Sequence, residues 1–200
     1  GGHCFDPFAG GGTRMVMASN YGMSYTGIEL RKEECDSLSA KANKLNLRGI
    51  EIIEGDSCNP ETYLKNPNWD TMEKSADLVI TCPPYWNLEE YNGGEADLSM
   101  LGTYEEFLEK IAVSIAYTKR VMKKGAVSCW VVGLMRDDKS NLLFMNHDLI
   151  RIHREMGYFV KEEVVVYPKT SGALTRSNMF LKGNKNLVRV HQYCLVFQKR

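Results

Sequence analysis

Asp6-Pro7-Phe8-Ala9-Gly10-Gly11-Gly12-Thr13 decides how the rest of the chain is read. It closes a short apolar run, His3–Phe8, that reads as a buried strand ending at Pro7. It opens Thr13–Tyr21, which reads as a helix stopped by Gly22. Three glycines between a strand and a helix let the backbone turn sharply and approach a ligand without Cβ interference. In an open α/β sheet, ligands bind outside the carboxyl ends of the strands. The dinucleotide fingerprint G-x-G-x-x-G is met by Gly10 and Gly12 but broken by Met15, which disfavours a pyrophosphate site. A tight turn with no ligand remains the plain alternative.

Working outward, strands and helices alternate, which predicts a mostly parallel sheet with helices on both faces. Ser24–Leu30 and Gly49–Asp56 read as strands, with a helix over Arg31–Leu45 between them. Glu33 and Glu34 in its first turn suit the helix dipole, and Cys35, Leu38, Ala42 and Leu45 share one face. Asp77–Thr81 is Leu-Val-Ile rich, as a strand buried on both faces should be. Thr103 with Glu106 forms a capping box for a helix carrying Leu108, Ile111, Ile115 and Met122, with Lys123-Lys124-Gly125 as its expected stop. A strand over Ala126–Val132 and a helix near 142–156 follow, and Tyr158–Tyr167 and Gln192–Gln198 complete the sheet as an antiparallel pair. Two stretches lack periodicity: Trp86–Gly102, expected to be a mobile loop, and Lys169–Arg189. Long loops in a compact domain tend to be functional, with disorder as the alternative.

Composition is that of an ordinary globular domain, 44% apolar and 25% charged. No apolar run approaches the roughly 18–20 residues of a bilayer span, and no signal peptide is recognised. The chain opens at Gly1, almost inside a motif, so a fragment or processed form is expected. Cysteines at 4, 35, 58, 82, 129 and 194 form no C-x-x-C pair and do not cluster with the histidines, so no metal site is expected and a reducing, cytoplasmic setting is. Net charge is zero but uneven. Beyond Glu163 there is no acid, while Lys169, Arg176, Lys182, Lys185, Arg189, Lys199 and Arg200 follow. Such asymmetry points to a polyanion, or to a plain solvated basic surface.

Carboxylates at strand ends extend the first motif. Glu29 lies 17 residues after Gly12, where it can accept from ribose hydroxyls. Asp56, with Ser57 beside it, can accept from an adenine amino group. Each taken alone could equally be a helix cap or a turn carboxylate. A second motif, Thr81-Cys82-Pro83-Pro84-Tyr85-Trp86, ends the fourth strand. Two prolines rigidify the chain and fix carbonyl acceptors, and two aromatics offer flat faces. The bland reading is a strand-terminating turn with core aromatics.

Together, DPFAGGGT and TCPPYW resemble the amino-methyltransferase family of DNA methyltransferases, which form N6-methyladenine or N4-methylcytosine. The resemblance implies a Rossmann-like methyltransferase fold in one catalytic domain over 1–200, with a seven-stranded mostly parallel sheet whose last strand is antiparallel. It implies S-adenosylmethionine as cofactor. Asp6, Phe8, Ala9, Gly10, Gly12 and Thr13 would surround its methionine part, Glu29 its ribose, and Asp56 and Ser57 its adenine. Cys82, Pro83, Pro84 and Tyr85 would form the catalytic corner, accepting both amino N–H bonds of a flipped base that stacks on Tyr85. Trp86, Lys169, Arg176, Lys182, Lys185 and Arg189 would contact double-stranded DNA, with the basic loop at about 169–190 reading the target. A prokaryotic or phage origin and a restriction-modification role would follow. The sequence departs from the family at Cys82, where Asp, Asn or Ser is usual. A thiol is a weak acceptor, nearest in size to Ser, which leans toward cytosine N4 and toward reduced activity. RNA or protein glutamine as substrate, or a nucleic-acid-binding module with little activity, are the alternatives.

Overall fold

The computed structural model describes residues 1–87, 91, 93–167 and 189–200. Its central strand is β1 (His3–Asp6), flanked in parallel by β2 (Ser24–Glu29) and β4 (Ala76–Thr81). β3 (Ile50–Glu54) pairs in parallel outside β2, and β5 (Met122–Val132) outside β4. The sheet ends in an antiparallel insertion: β9 (Gln192–Lys199) lies between β5 and β8 (Tyr158–Val166). The strand order is therefore β3-β2-β1-β4-β5-β9-β8, seven strands with one running against the rest. A separate hairpin joins β6 (Met135–Arg136) and β7 (Leu142–Leu143).

Helices cover both faces. α1 (Thr13–Asn20) and α2 (Lys32–Lys44) lie on one side, where Met15, Ala18, Leu38 and Ala42 pack with Cys4 and Tyr25. The other side holds the short α3 (Pro60–Leu64) and α4 (Trp69–Met72), then α5 (Tyr104–Val121) and α6 (Met145–Glu155). Phe107, Ile111 and Ile115 of α5 and Leu149 and Ile152 of α6 pack there against Phe5, Val79, Trp130 and Phe197 of the sheet. Neither α3 nor α4 is long enough to show a 3.6-residue period, so the sequence reading missed both.

The capping box forms as read: Glu106 N donates to Thr103 Oγ1 at 3.2 Å and Thr103 N to Glu106 Oε2 at 3.0 Å. The expected stop at Lys123-Lys124-Gly125 is corrected. α5 ends at Val121, and Met122 is already extended at ψ 142° as the first residue of β5. Lys123–Gly125 instead fall in an irregularity of the β4–β5 ladder, between the pairs Ala76–Met122 and Leu78–Val127, with Gly125 at φ +81°. The cation at the helix end comes from β9, where Lys199 Nζ donates to the carbonyls of Lys119 and Met122, each at 2.7 Å. Among the described residues no helix is long and apolar enough to cross a membrane.

Candidate active site

Neighbouring parallel strands β1 and β4 carry the two motifs to the same edge of the sheet. Below them sits Asp6, fully buried, and its carboxylate joins four partners. Oδ1 accepts from Phe8 N at 3.1 Å and from Thr81 Oγ1 at 2.7 Å. Oδ2 accepts from Arg14 Nε at 2.6 Å and from the Tyr25 hydroxyl at 3.0 Å. Arg14 also donates to the carbonyls of Phe8 and Ala9. Asp6 thus pins the glycine turn to the base of the proline corner. The expectation that it touches a ligand is corrected: both oxygens are occupied and Asp6 is absent from the cavity wall.

Above Asp6 lies a cavity of about 380 Å³, within the range of small-molecule sites. Its wall contains Phe8, Ala9, Gly10, Gly12 and Thr13 from the turn, Glu29 after β2, Asp56 and Ser57 after β3, and Cys82, Pro83, Pro84 and Tyr85 after β4. Gly12 caps α1 at φ +78°, and a Cβ there would stand 2.4 Å from Leu38 Cδ2, so only glycine fits. No side chain caps α1, and Gly12 and Thr13 at its start line the cavity. Glu29 is nearly buried; Oε2 accepts from Gly10 N and Oε1 from Arg31 N, both at 3.0 Å. Asp56 Oδ1 accepts from Cys58 N at 2.7 Å.

At the proline corner, Gln192 Nε2 of β9 donates to the Tyr85 hydroxyl at 3.0 Å, and a Cβ on Gly133 would stand 3.3 Å from the same oxygen. Burial, then the neighbouring Cys82, push the Tyr85 phenol above its ordinary pKa, so it stays protonated at neutral pH. Trp86, expected to offer a face to nucleic acid, is turned inward. It is 8% exposed, leans on Tyr104 and donates Nε1–H to Leu101 O at 2.8 Å.

That bond closes a stretch the sequence reading left without structure. Tyr91, Ala96, Asp97 and Leu98 form a further wall of the cavity, with short 3₁₀ turns at Gly94–Ala96 and Leu98–Met100. Asp97 organises them. Its carboxylate accepts from the backbone N–H of Tyr91, Gly93 and Ser99 and from Ser99 Oγ, at 2.7–3.2 Å. These bonds hold Asp97 below the ordinary carboxylate pKa despite its burial. The spacing Asp-x-Ser was the available signal for such a turn. Lys169, Arg176, Lys182 and Lys185 lie outside the described residues; Arg189 is half-buried at the start of β9's approach. Among the described residues no cluster of three or more His, Cys, Asp or Glu side chains is placed to hold a metal.

Comparison with known proteins agrees with this arrangement. The model of the N6/N4 methyltransferase family, described as DNA methylase, matches residues 76–200. The type II methyltransferase M.XycI of Xanthomonas campestris pv. cyanopsidis is 35% identical over 78 residues, 39% of this chain. The match spans 23% of that protein's length. Among solved structures, TrmN from Thermus thermophilus superposes with a TM-score of 0.63 at 14% identity, covering 100% of this chain and 44% of that one. A SAM-dependent methyltransferase from Methanosarcina mazei superposes at 0.61 and 14% identity, covering 98% and 92%. At such identity the likeness shows the fold, that of S-adenosylmethionine-dependent methyltransferases. The proline corner, β5 and the antiparallel β9 all fall inside the matched segment, and the chain belongs to the N6/N4 DNA methylase family.

Proposed function

We propose that this chain moves a methyl group from S-adenosylmethionine to the exocyclic amino nitrogen of a DNA base, cytosine N4 or adenine N6, extruded from the duplex. One observation carries the reading: the glycine turn and the proline corner open on a single cavity and are tied together by Thr81 Oγ1 donating to Asp6.

S-adenosylmethionine is the cofactor that family and fold imply, and the cavity's donor set suits it. Glu29 keeps carboxylate lone pairs beyond those given to Gly10 and Arg31, and these would take the ribose hydroxyls. Asp56 and Ser57 would face the adenine, and the N–H groups at the start of α1 the methionine carboxylate. The cofactor, when bound, supplies an electrophilic methyl.

The remaining work falls to the proline corner. An aromatic amine is a poor nucleophile because its lone pair is delocalised into the ring. The Pro83 carbonyl and the Cys82 side chain would accept its two N–H bonds and favour a pyramidal nitrogen. Tyr85 would stack against the base, held in place by Gln192. Its protonated phenol is an anchor and not a base.

Labelled S-adenosylmethionine and duplex DNA provide the test, with digestion and mass analysis of the nucleosides. The expected product is N4-methylcytosine or N6-methyladenine. Tyr85→Ala should abolish transfer, and Pro83→Ala, which keeps the carbonyl but loosens its direction, should lower it, while cofactor affinity, read by calorimetry, stays within about threefold, because neither residue holds the cofactor's anchoring groups. Normal methylation by both variants would remove the corner from the mechanism.

A further inference from the structure

The register of β5 and β9 organises more than the strands themselves. Val127 pairs with Gln198 and Val132 with Tyr193. Past the last pair the two segments stay close, since Gln192 donates to the Tyr85 hydroxyl and a Cβ on Gly133 would stand 3.3 Å from it. Arg136, in the separate β6–β7 hairpin, follows Gly133 by three residues, and Arg189 precedes Gln192 by three. At no more than about 3.3 Å per residue, each backbone position lies within about 10 Å of the Tyr85 contacts.

Electrostatics agree with the juxtaposition. Burial first, and the Arg136 charge second, hold Arg189 below its ordinary basicity. Among the described residues neither arginine forms an ion pair with a carboxylate. The acids of the neighbouring hairpin are engaged elsewhere. Asp137 accepts from Lys139 N, Asn141 N and Asn141 Nδ2, and Asp138 from Asn87 Nδ2. Arg136 donates Nη1–H to Ser140 O at 2.6 Å, which fixes its guanidinium at the hairpin and uses one of its five N–H donors. Two like charges side by side are unfavourable until an anion joins them, and a guanidinium pair matches the geometry of a phosphate.

We propose that Arg136 and Arg189 clamp a backbone phosphate of the substrate nucleic acid beside the base seated at Tyr85. The proposal rests on the methyl-transfer reading above and adds Arg136, which the sequence did not single out, to the substrate-binding surface. The methionine carboxylate is not the expected anion, because the glycine turn that would receive it belongs to β1.

Binding of a fluorescent DNA duplex to the full chain, titrated across salt concentrations, tests this directly. Arg136→Gln and Arg189→Gln should each weaken binding roughly 3- to 10-fold, alike for different sequences, and lower the slope of log K against log salt by about one. The double variant should also lower it by about one in total, because both arginines neutralise the same phosphate. Cofactor affinity serves as the folding control and should not change. Arg136→Lys, which keeps the charge, should retain the slope. Single variants with intact cofactor binding and unchanged slopes would overturn the clamp, even if the parent methylates DNA. A parent that binds no cofactor and transfers no methyl would overturn the functional reading, while the slopes would still report on the arginines.

Discussion

Asp6 acts from beneath the cavity, and its predicted effect is on stability before it is on ligand binding. Its carboxylate is fully buried against Arg14, Tyr25 and Thr81. Removing one member of a buried pair leaves the other charge uncompensated, at about 3–5 kcal/mol. Asp6→Ala is therefore expected to lower unfolding free energy by about that amount in urea denaturation. Wild-type stability with lost cofactor binding would instead restore a direct ligand role. Cys82 gives the opposite kind of prediction. It lines the cavity at the corner, where a hydroxyl would accept an amino N–H better than a thiol does. Cys82→Ser should raise kcat several-fold with cofactor affinity unchanged. An unaltered rate would mean that residue 82 accepts no bond in the transition state. The motifs named both residues, but only tertiary structure shows where their atoms point. Asp6 meets Tyr25 and Thr81 across 19 and 75 residues of chain, and no local pattern encodes such a meeting.

Elements with a full period were readable, and those without one were not. β1 through β5, α1, α2 and α5 announce themselves through apolar runs, helical spacing and the Thr103 capping box. Pro60–Leu64 and Trp69–Met72 are one turn each and carry no such signal. Lys123-Lys124-Gly125 has the chemistry of a helix stop, yet pairing with β4 pulls Met122 into the sheet first, so tertiary context overrides the local cue. The wall formed by Tyr91 and residues 93–101 is the consequential omission. Asp97 holds it through four hydrogen bonds to one carboxylate. Bonds to a charged acceptor contribute about 1.5–3 kcal/mol each, so Asp97→Ala should release the wall and weaken cofactor binding by roughly tenfold or more. Calorimetry would show it, and unchanged affinity would mean that the wall plays no part in holding the cofactor.

Across the whole molecule, the sheet class and the family were legible because two motifs each end a strand; the strand order and the acid response were not. His153 is buried on α6, its ring stacked on Phe197 at 3.7 Å and its Nδ1 at 2.7 Å from Leu149 O. Burial lowers its pKa from 6.5 to about 3. Below pH 6.5 the unfolded chain binds a proton that the folded chain refuses until about pH 3, so stability falls across that window as pH drops. His153→Phe should shrink the stability lost between about pH 7 and about pH 5 in urea unfolding. An equal loss in both proteins would exclude this histidine as the cause. The position of β9 has a temporal consequence. Among the described strands it comes last in sequence, yet it lies inside the sheet and supplies the pairing of β8. A nascent chain holding residues 1–190 would leave β9's place empty, β8 without its neighbour and Tyr85 without Gln192 to steady it. The sheet beyond β5 therefore closes only when a strand made later slots between two made before it.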